Sequence, residues 1–224
     1  MYYKFQDPLP NVGTRQLIDT PFWEKIEKMI SNISEEDFID AQVNNDAKTV
    51  GFEVKKESRL DKEIRESKIT FLDDRKYPEI YYDLFVMVDE YNKNISQWGY
   101  DISTVEPIQY GVYPKGGFYD WHIDAYDAPI LISSKQQNTS DRTSGDLFNR
   151  KISLSIFLND PDEYEGGELD IETKGPLHNP RFDTFKLTKG SLVVFPSNKW
   201  HRVRPITSGI RKSLVAWISG PPVR

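Results

Sequence analysis

The chain carries three histidines and no cysteine, so its few metal-binding side chains can be weighed one at a time. His122 stands in the aromatic run "FYDWHIDAY" over 118–126, with the carboxylate of Asp124 two positions on. In a strand, positions i and i+2 project from the same face. His122 and Asp124 therefore read as a two-toothed arm for a divalent metal, with Ile123 packing the other way. The pair carries weight only if a third ligand exists, and His201 in "FPSNKWHRV" supplies one from a second strand-like context. His178, in "KGPLHNPR", reads as a solvated loop residue. Two histidines and one carboxylate can occupy one face of an octahedral iron(II) and leave the other positions open. The same set also suits a zinc hydrolase.

Ten residues after His201 comes Arg211, in "GIRKSLVAWIS". On a strand Arg211, Ser213, Val215 and Trp217 share one face. An inward arginine in a β-structure is costly unless it meets an anion, and its planar fork matches a carboxylate. A metal with open positions and a nearby carboxylate receptor together fit a dicarboxylate that chelates at one end and meets arginine at the other. 2-Oxoglutarate is such a molecule.

These residues need a scaffold that is mainly β. From about residue 106 apolar positions recur with period two, in "PIQYGVY", "FYDWHID", "ISLSIFL", "GELDI", "DTFKL", "SLVVF", "WHRV" and "RKSLVAWIS", punctuated by Gly, Pro, Asn and Asp. Many short strands at regular spacing predict a sandwich or barrel, the jelly roll included. The first hundred residues read as mainly helical support. Thr20 and Pro21 open one helix, Ser34 a second with Phe38 and Ile39 facing inward, and Pro78 a third that runs through Ile95 and stops before Gly99. The polar stretch 133–150 reads as a flexible loop, either a lid over the pocket or a dispensable insertion. The expectation is one domain over 1–224: helical support to about 104, a catalytic core over about 105–220.

The residues "QYGVYPKGGFYDWHID", "RKISLSIFLNDPDEYEGGELDIE" and "KGSLVVFPSNKWHRVRPITSGIRKSLVAWI" resemble the iron(II)- and 2-oxoglutarate-dependent dioxygenases. They are similar to the prolyl 4-hydroxylase branch and its bacterial PKHD-type members. The resemblance covers roughly 106–220, with the motifs in order. It implies a double-stranded β-helix (jelly-roll, cupin-like) core with packed helices. It implies that His122, Asp124 and His201 bind Fe(II) and that Arg211 binds the far carboxylate of 2-oxoglutarate, with Tyr113 touching the same group. It places Tyr119 and Trp217 near the substrate, and gives Ser213 a supporting role beside Arg211. Hydroxylation of an unactivated C–H bond follows, with O2 consumed, 2-oxoglutarate converted to succinate and carbon dioxide, and ascorbate as reductant. A proline in a peptide or protein is the implied substrate. A small molecule or free amino acid, or a non-oxygenase cupin-like metal protein, is the alternative. Collagen-type enzymes usually carry lysine at the Arg211 position, which loosens the link to proline. Halogenases of this fold lack the carboxylate ligand, so Asp124 favours hydroxylation.

Composition bounds the rest. Absence of cysteine excludes disulfides, thiolate metal sites and a cysteine nucleophile. A net charge of −6 without a basic stripe argues against nucleic acid as partner. No apolar run approaches the ~18 residues of a membrane span, and the N-terminal residues carry no signal-peptide pattern. The expected location is cytoplasmic.

Overall fold

The computed structural model describes residues 11–41, 43–44, 58–59, 64–125, 130–132, 146–175 and 177–222. The principal elements, in chain order, are strand β1 (Gly13–Gln16), helix α1 (Pro21–Ile30), β2 (Arg65–Glu66), β3 (Lys68–Phe71), helix α2 (Pro78–Glu90), β4 (Gln109–Tyr113), β5 (Phe118–His122), β6 (Asp146–Phe157), β7 (Leu169–Glu172), β8 (Phe182–Phe185), β9 (Ser191–Pro196), β10 (His201–Val203) and β11 (Arg211–Gly220).

Two antiparallel sheets face each other, as the period-two pattern predicts. The larger runs β1-β9-β6-β11-β4-β3 and ends on the short strand Ile39–Asp40. The smaller runs β8-β7-β10-β5-β2. Alternation sorts the side chains. Ile152, Leu154 and Ile156 of β6 and Leu214, Ala216 and Ile218 of β11 face a core shared with the helices. The intervening positions face the smaller sheet, where Phe157, Val193 and Phe195 meet Leu169, Ile171 and Val203. β9 is buried along its whole length, which explains why "SLVVF" reads as an unbroken apolar run rather than an alternation.

Thr20 caps α1, its hydroxyl accepting from the Trp23 amide, and Pro21 fills the first turn where no donor is needed. Phe22, Trp23, Ile26 and Met29 turn inward. Ile80, Leu84 and Val88 do the same on α2. Both helices thus cover the outer face of the larger sheet.

The N-terminal region differs from the helical expectation. Beside two helices it holds β1, β2 and β3, which extend both sheets. Instead of a second helix at Ser34 there is a single turn, Glu35–Asp37, closed by a capping box between Ser34 and Asp37. Phe38 packs on the core, but Ile39 is 58% exposed on an edge strand. Three acidic residues in a row and two β-branched isoleucines close by leave little there for a longer helix to bury. The third helix continues past Glu90 as a π-turn, Tyr91–Ile95, and Ile95 faces outward. The polar stretch also divides differently: Asp146–Arg150 opens the twelve-residue β6, while 133–145 lies outside the described residues. No described helix is long and apolar enough to cross a membrane.

Candidate active site

The smaller sheet brings the metal-ligating types together. His201 on β10 pairs directly with His122 on β5, and the rings lie 4.1 Å apart. β5 ends at His122, so Asp124 is not a strand residue as the i, i+2 reading had it. It sits in the bend that follows, where the amides of Asp124 and Ala125 both donate to the Ser197 carbonyl, at 3.0 and 2.9 Å. The convergence comes from this turn, tied to the end of β9, rather than from strand alternation.

Nε2 of His122 is 3.7 Å from Asp124 Oδ1, and Nε2 of His201 is 3.3 Å from Oδ2. One ligand atom from each of the three residues lies within 4.8 Å of the others, close to what a single ion with bonds of about 2.1 Å can bridge. Each imidazole is oriented by its other nitrogen. Nδ1 of His122 donates to the Asp120 carbonyl at 2.7 Å, and Nδ1 of His201 to the Lys199 carbonyl at 2.9 Å. That fixes the tautomer with the Nε2 lone pair facing inward, the usual arrangement behind a metal-bound histidine. Ser153 Oγ donates to Asp124 Oδ2 at 2.8 Å and also meets Ser197 Oγ at 2.8 Å. Sequence reading passed over both serines, because a small residue on a strand carries no signal of what its hydroxyl will reach.

Electrostatics hold His122 and Asp124 in ligand-ready form and leave His201 charge-paired with the carboxylate. Burial, helped by the neighbouring His201, pushes the His122 imidazole down to about 3. Burial alone would raise the Asp124 carboxyl, but the adjacent His201 and His122 rings reverse this and hold it well below the usual carboxylate range. His201, which burial alone would lower, is raised by the Asp124 carboxylate against it. A neutral imidazole and an ionised carboxylate are the states a metal needs.

Arg211 begins β11 opposite Tyr113 and is 1% exposed. Its Nη1 donates to Ser213 Oγ at 3.0 Å, while Nε and Nη2 are buried without a well-formed bond, with the Tyr164 hydroxyl beside the guanidinium and likewise without one. Among the described residues no carboxylate lies within ion-pair distance of it. Its guanidinium stands 5.4 Å from the Tyr113 ring and 5.1 Å from that of Phe157. Gly167 makes room: at φ +67, a Cβ there would meet Ile206 Cδ1 at 2.3 Å and Arg211 Cδ at 3.0 Å. A buried cation with two idle donors is expensive to keep, and an incoming carboxylate would satisfy both.

A cleft opens on the triad. Its walls include Tyr113, Tyr119 and Trp217 together with Arg65 and Gln109. Tyr119 stacks on His122 at 3.5 Å, an arrangement that simple alternation forbids for residues three apart. A register shift allows it: Tyr119 pairs with Val203 while His122 pairs with His201, so β5 carries an extra residue. Burial pushes the Tyr119 phenol up to about 12. Trp217 lies under the Arg150 guanidinium at 3.9 Å, and Arg150 is in turn gripped by Glu106. His178 is exposed, away from this set.

The sequence profile of the 2OG-Fe(II) oxygenase superfamily matches residues 108–219, half of the chain. The chain belongs to the 2OG-Fe(II) oxygenase superfamily. A PKHD-type hydroxylase of Teredinibacter turnerae is 37% identical over 114 residues, and one of Stenotrophomonas maltophilia 37% over 112. The matched stretches cover 51% and 50% of this chain but 43% and 42% of those relatives, so the chain spans less than half of their length in the match. A prolyl-4-hydroxylase of Pseudomonas putida superposes with a TM-score of 0.59 at 18% identity, covering 94% of this chain and 93% of that one. A Trichoplax adhaerens prolyl hydroxylase, solved with a peptide fragment of hypoxia inducible factor, gives 0.60 at 18% identity over 93% and 83%. These likenesses establish the fold of this oxygenase as the double-stranded β-helix.

Proposed function

We propose that this chain is an Fe(II)- and 2-oxoglutarate-dependent dioxygenase that hydroxylates a C–H bond of a proline in a peptide or protein. Arg211 carries the reading. A fully buried guanidinium with two unpartnered donors, on the same sheet as the cavity's wall, has the charge and shape to take a carboxylate. The donor set fits the metal this superfamily is named for. His122, Asp124 and His201 would hold Fe(II). When bound, iron supplies the activation of oxygen and the oxidation of 2-oxoglutarate to succinate and carbon dioxide that accompanies C–H hydroxylation.

The chain's own residues do the rest. Ser153 and the Ser197 carbonyl aim the Asp124 carboxylate. The Asp120 and Lys199 carbonyls aim the two imidazoles. Arg211, with Ser213 behind it and Tyr113 against it, grips the distal carboxylate of 2-oxoglutarate. Tyr119 and Trp217 flank the substrate and exclude water from the reacting bond. The name of the curated relatives supports hydroxylation, and the titles of the prolyl hydroxylase neighbours support a proline as the target.

Aerobic incubation with Fe(II), 2-oxoglutarate, ascorbate to keep the metal ferrous, and proline-containing peptides tests the proposal. Succinate release coupled to a peptide mass gain of one oxygen atom is expected. Absence of iron-dependent succinate with every proline-containing peptide would sink it.

A further inference from the structure

Two buried arginines on the inner side of the fold lack a carboxylate, and the proposed cosubstrate accounts for only one of them. Arg150 is bound by Glu106, and Arg202 and Arg204 by Asp170. Arg65, 7% exposed, has no such partner among the described residues. Its Nε donates to Ser67 Oγ at 3.0 Å, and its guanidinium lies over the Tyr119 ring at 4.6 Å. Tyr119 in turn stacks on His122. Arg65 lines the same cavity as the triad, so it stands one ring beyond a proposed metal ligand.

Charge balance gives this position a meaning. Arg65, Arg211 and a divalent metal face Asp124 and a doubly charged 2-oxoglutarate, which leaves the loaded cavity one positive charge in excess. A neutral carbonyl would leave that charge buried and uncompensated, whereas a carboxylate would cancel it. Trp217 Nε1, a donor on the same wall, is buried without a partner, so an acceptor entering the cavity would meet it as well.

We propose that Arg65 is the substrate anchor, and that the substrate presents a carboxylate beside the bond to be oxidised. This rests on the dioxygenase reading above for the identity of the neighbouring ligands. The carboxylate has two possible sources, the α-carboxylate of a free amino acid and an acidic residue flanking the target in a peptide.

The test uses protein loaded with Mn(II) and 2-oxoglutarate, and paired probes that differ only in charge. The pairs are L-proline with L-prolinamide, and two otherwise identical peptides in which proline is flanked by glutamate or by glutamine. Binding is read from the relaxation that Mn(II) imposes on probe protons. In at least one pair the carboxylate member should bind about tenfold or more tightly than its neutral twin, as expected for one charge-assisted contact. The pair that responds identifies the source. Arg65→Gln should bring the twins to within about twofold, and Arg65→Lys should keep part of the preference. Mn(II) and 2-oxoglutarate affinities should stay unchanged in both variants. Equal retention of the twins by the unsubstituted protein, including no retention of either, overturns the proposal, as does a preference that survives Arg65→Gln. Thermal shifts with the same pairs on metal-free protein read the anchor by itself. If Mn(II) or 2-oxoglutarate fails to bind while the charge preference persists there, the dioxygenase reading falls and the Arg65 site stands.

Discussion

Replacing Arg211 with methionine separates a ligand-binding cation from a structural one, because the two roles predict opposite effects on stability. Nε and Nη2 of Arg211 are buried without partners, and only Nη1 is used, on Ser213. If both idle donors meet the 2-oxoglutarate carboxylate, each charge-assisted bond is worth ~1.5–3 kcal/mol. Their loss together should weaken cosubstrate binding by roughly 10²- to 10⁴-fold. The folded state, by contrast, loses an uncompensated buried charge and gains an apolar chain of similar shape, a change that is neutral or stabilising by about 1–4 kcal/mol. Giving up the Ser213 bond returns ~1 kcal/mol of that. In a chain of this size 1 kcal/mol moves the melting temperature by about 2–4 °C, so ligand-free Arg211→Met should melt at the wild-type temperature or a few degrees above it. Wild-type protein with Mn(II) should gain ~2.7 kcal/mol of stability at a hundredfold excess of 2-oxoglutarate over its Kd, and the variant almost none. Differential scanning fluorimetry with and without each ligand, backed by titration calorimetry, measures both quantities. A variant that melts about 10 °C lower yet keeps its 2-oxoglutarate shift would refute the reasoning and make Arg211 a structural cation.

The other predictions concern the metal set and the smaller sheet. His201→Ala should abolish stoichiometric Mn(II) binding, read by electron paramagnetic resonance, while circular dichroism keeps its β signature. Ser153→Ala frees the Asp124 carboxylate from its aiming hydroxyl and should weaken metal affinity by about 10- to 100-fold, measured by competition with a chelator. Asp170 is fully buried and accepts from Thr184, Arg202 and Arg204. Losing this buried acceptor in Asp170→Ala, with Arg202 and Arg204 partly solvated, should cost ~1–3 kcal/mol in urea unfolding at pH 7. Burial works to raise the Asp170 carboxyl, but the hydrogen bonds from Arg204, Thr184 and Arg202 outweigh it and lower it. A folded-state pKa below the unfolded value of about 3.9 contributes stability that is full above that value and lost as pH falls through the folded one. The gap between wild type and Asp170→Ala should therefore narrow below about pH 4. A gap that stays constant down to pH 2 would show that the carboxylate is not the stabilising species.

Where a local rule governs a position, the sequence alone determined the outcome. Alternation placed Arg211, Ser213, Val215 and Trp217 on one face of β11 and Tyr110 and Val112 of β4 on one side with Ile108 just before it. Thr20-Pro21 and the spacing of Ile80, Leu84 and Val88 set two helices, because caps and apolar stripes act within a few residues. Tertiary structure alone decided what depends on neighbours distant in the chain. The polar sequence that opens β6 became strand because a paired edge was available. Arg65, in the charged stretch "ESRLDKEIRESK", carries no local signal of burial; pairing with β5 sets it over Tyr119. Asp124 reaches the histidines through a turn fastened to Ser197, seventy-odd residues away, and Tyr119 reaches His122 through an extra residue in β5. Periodicity reports which face a side chain takes; what that face meets is fixed only when the two sheets close, and there Arg65 and Arg211 acquire their meaning.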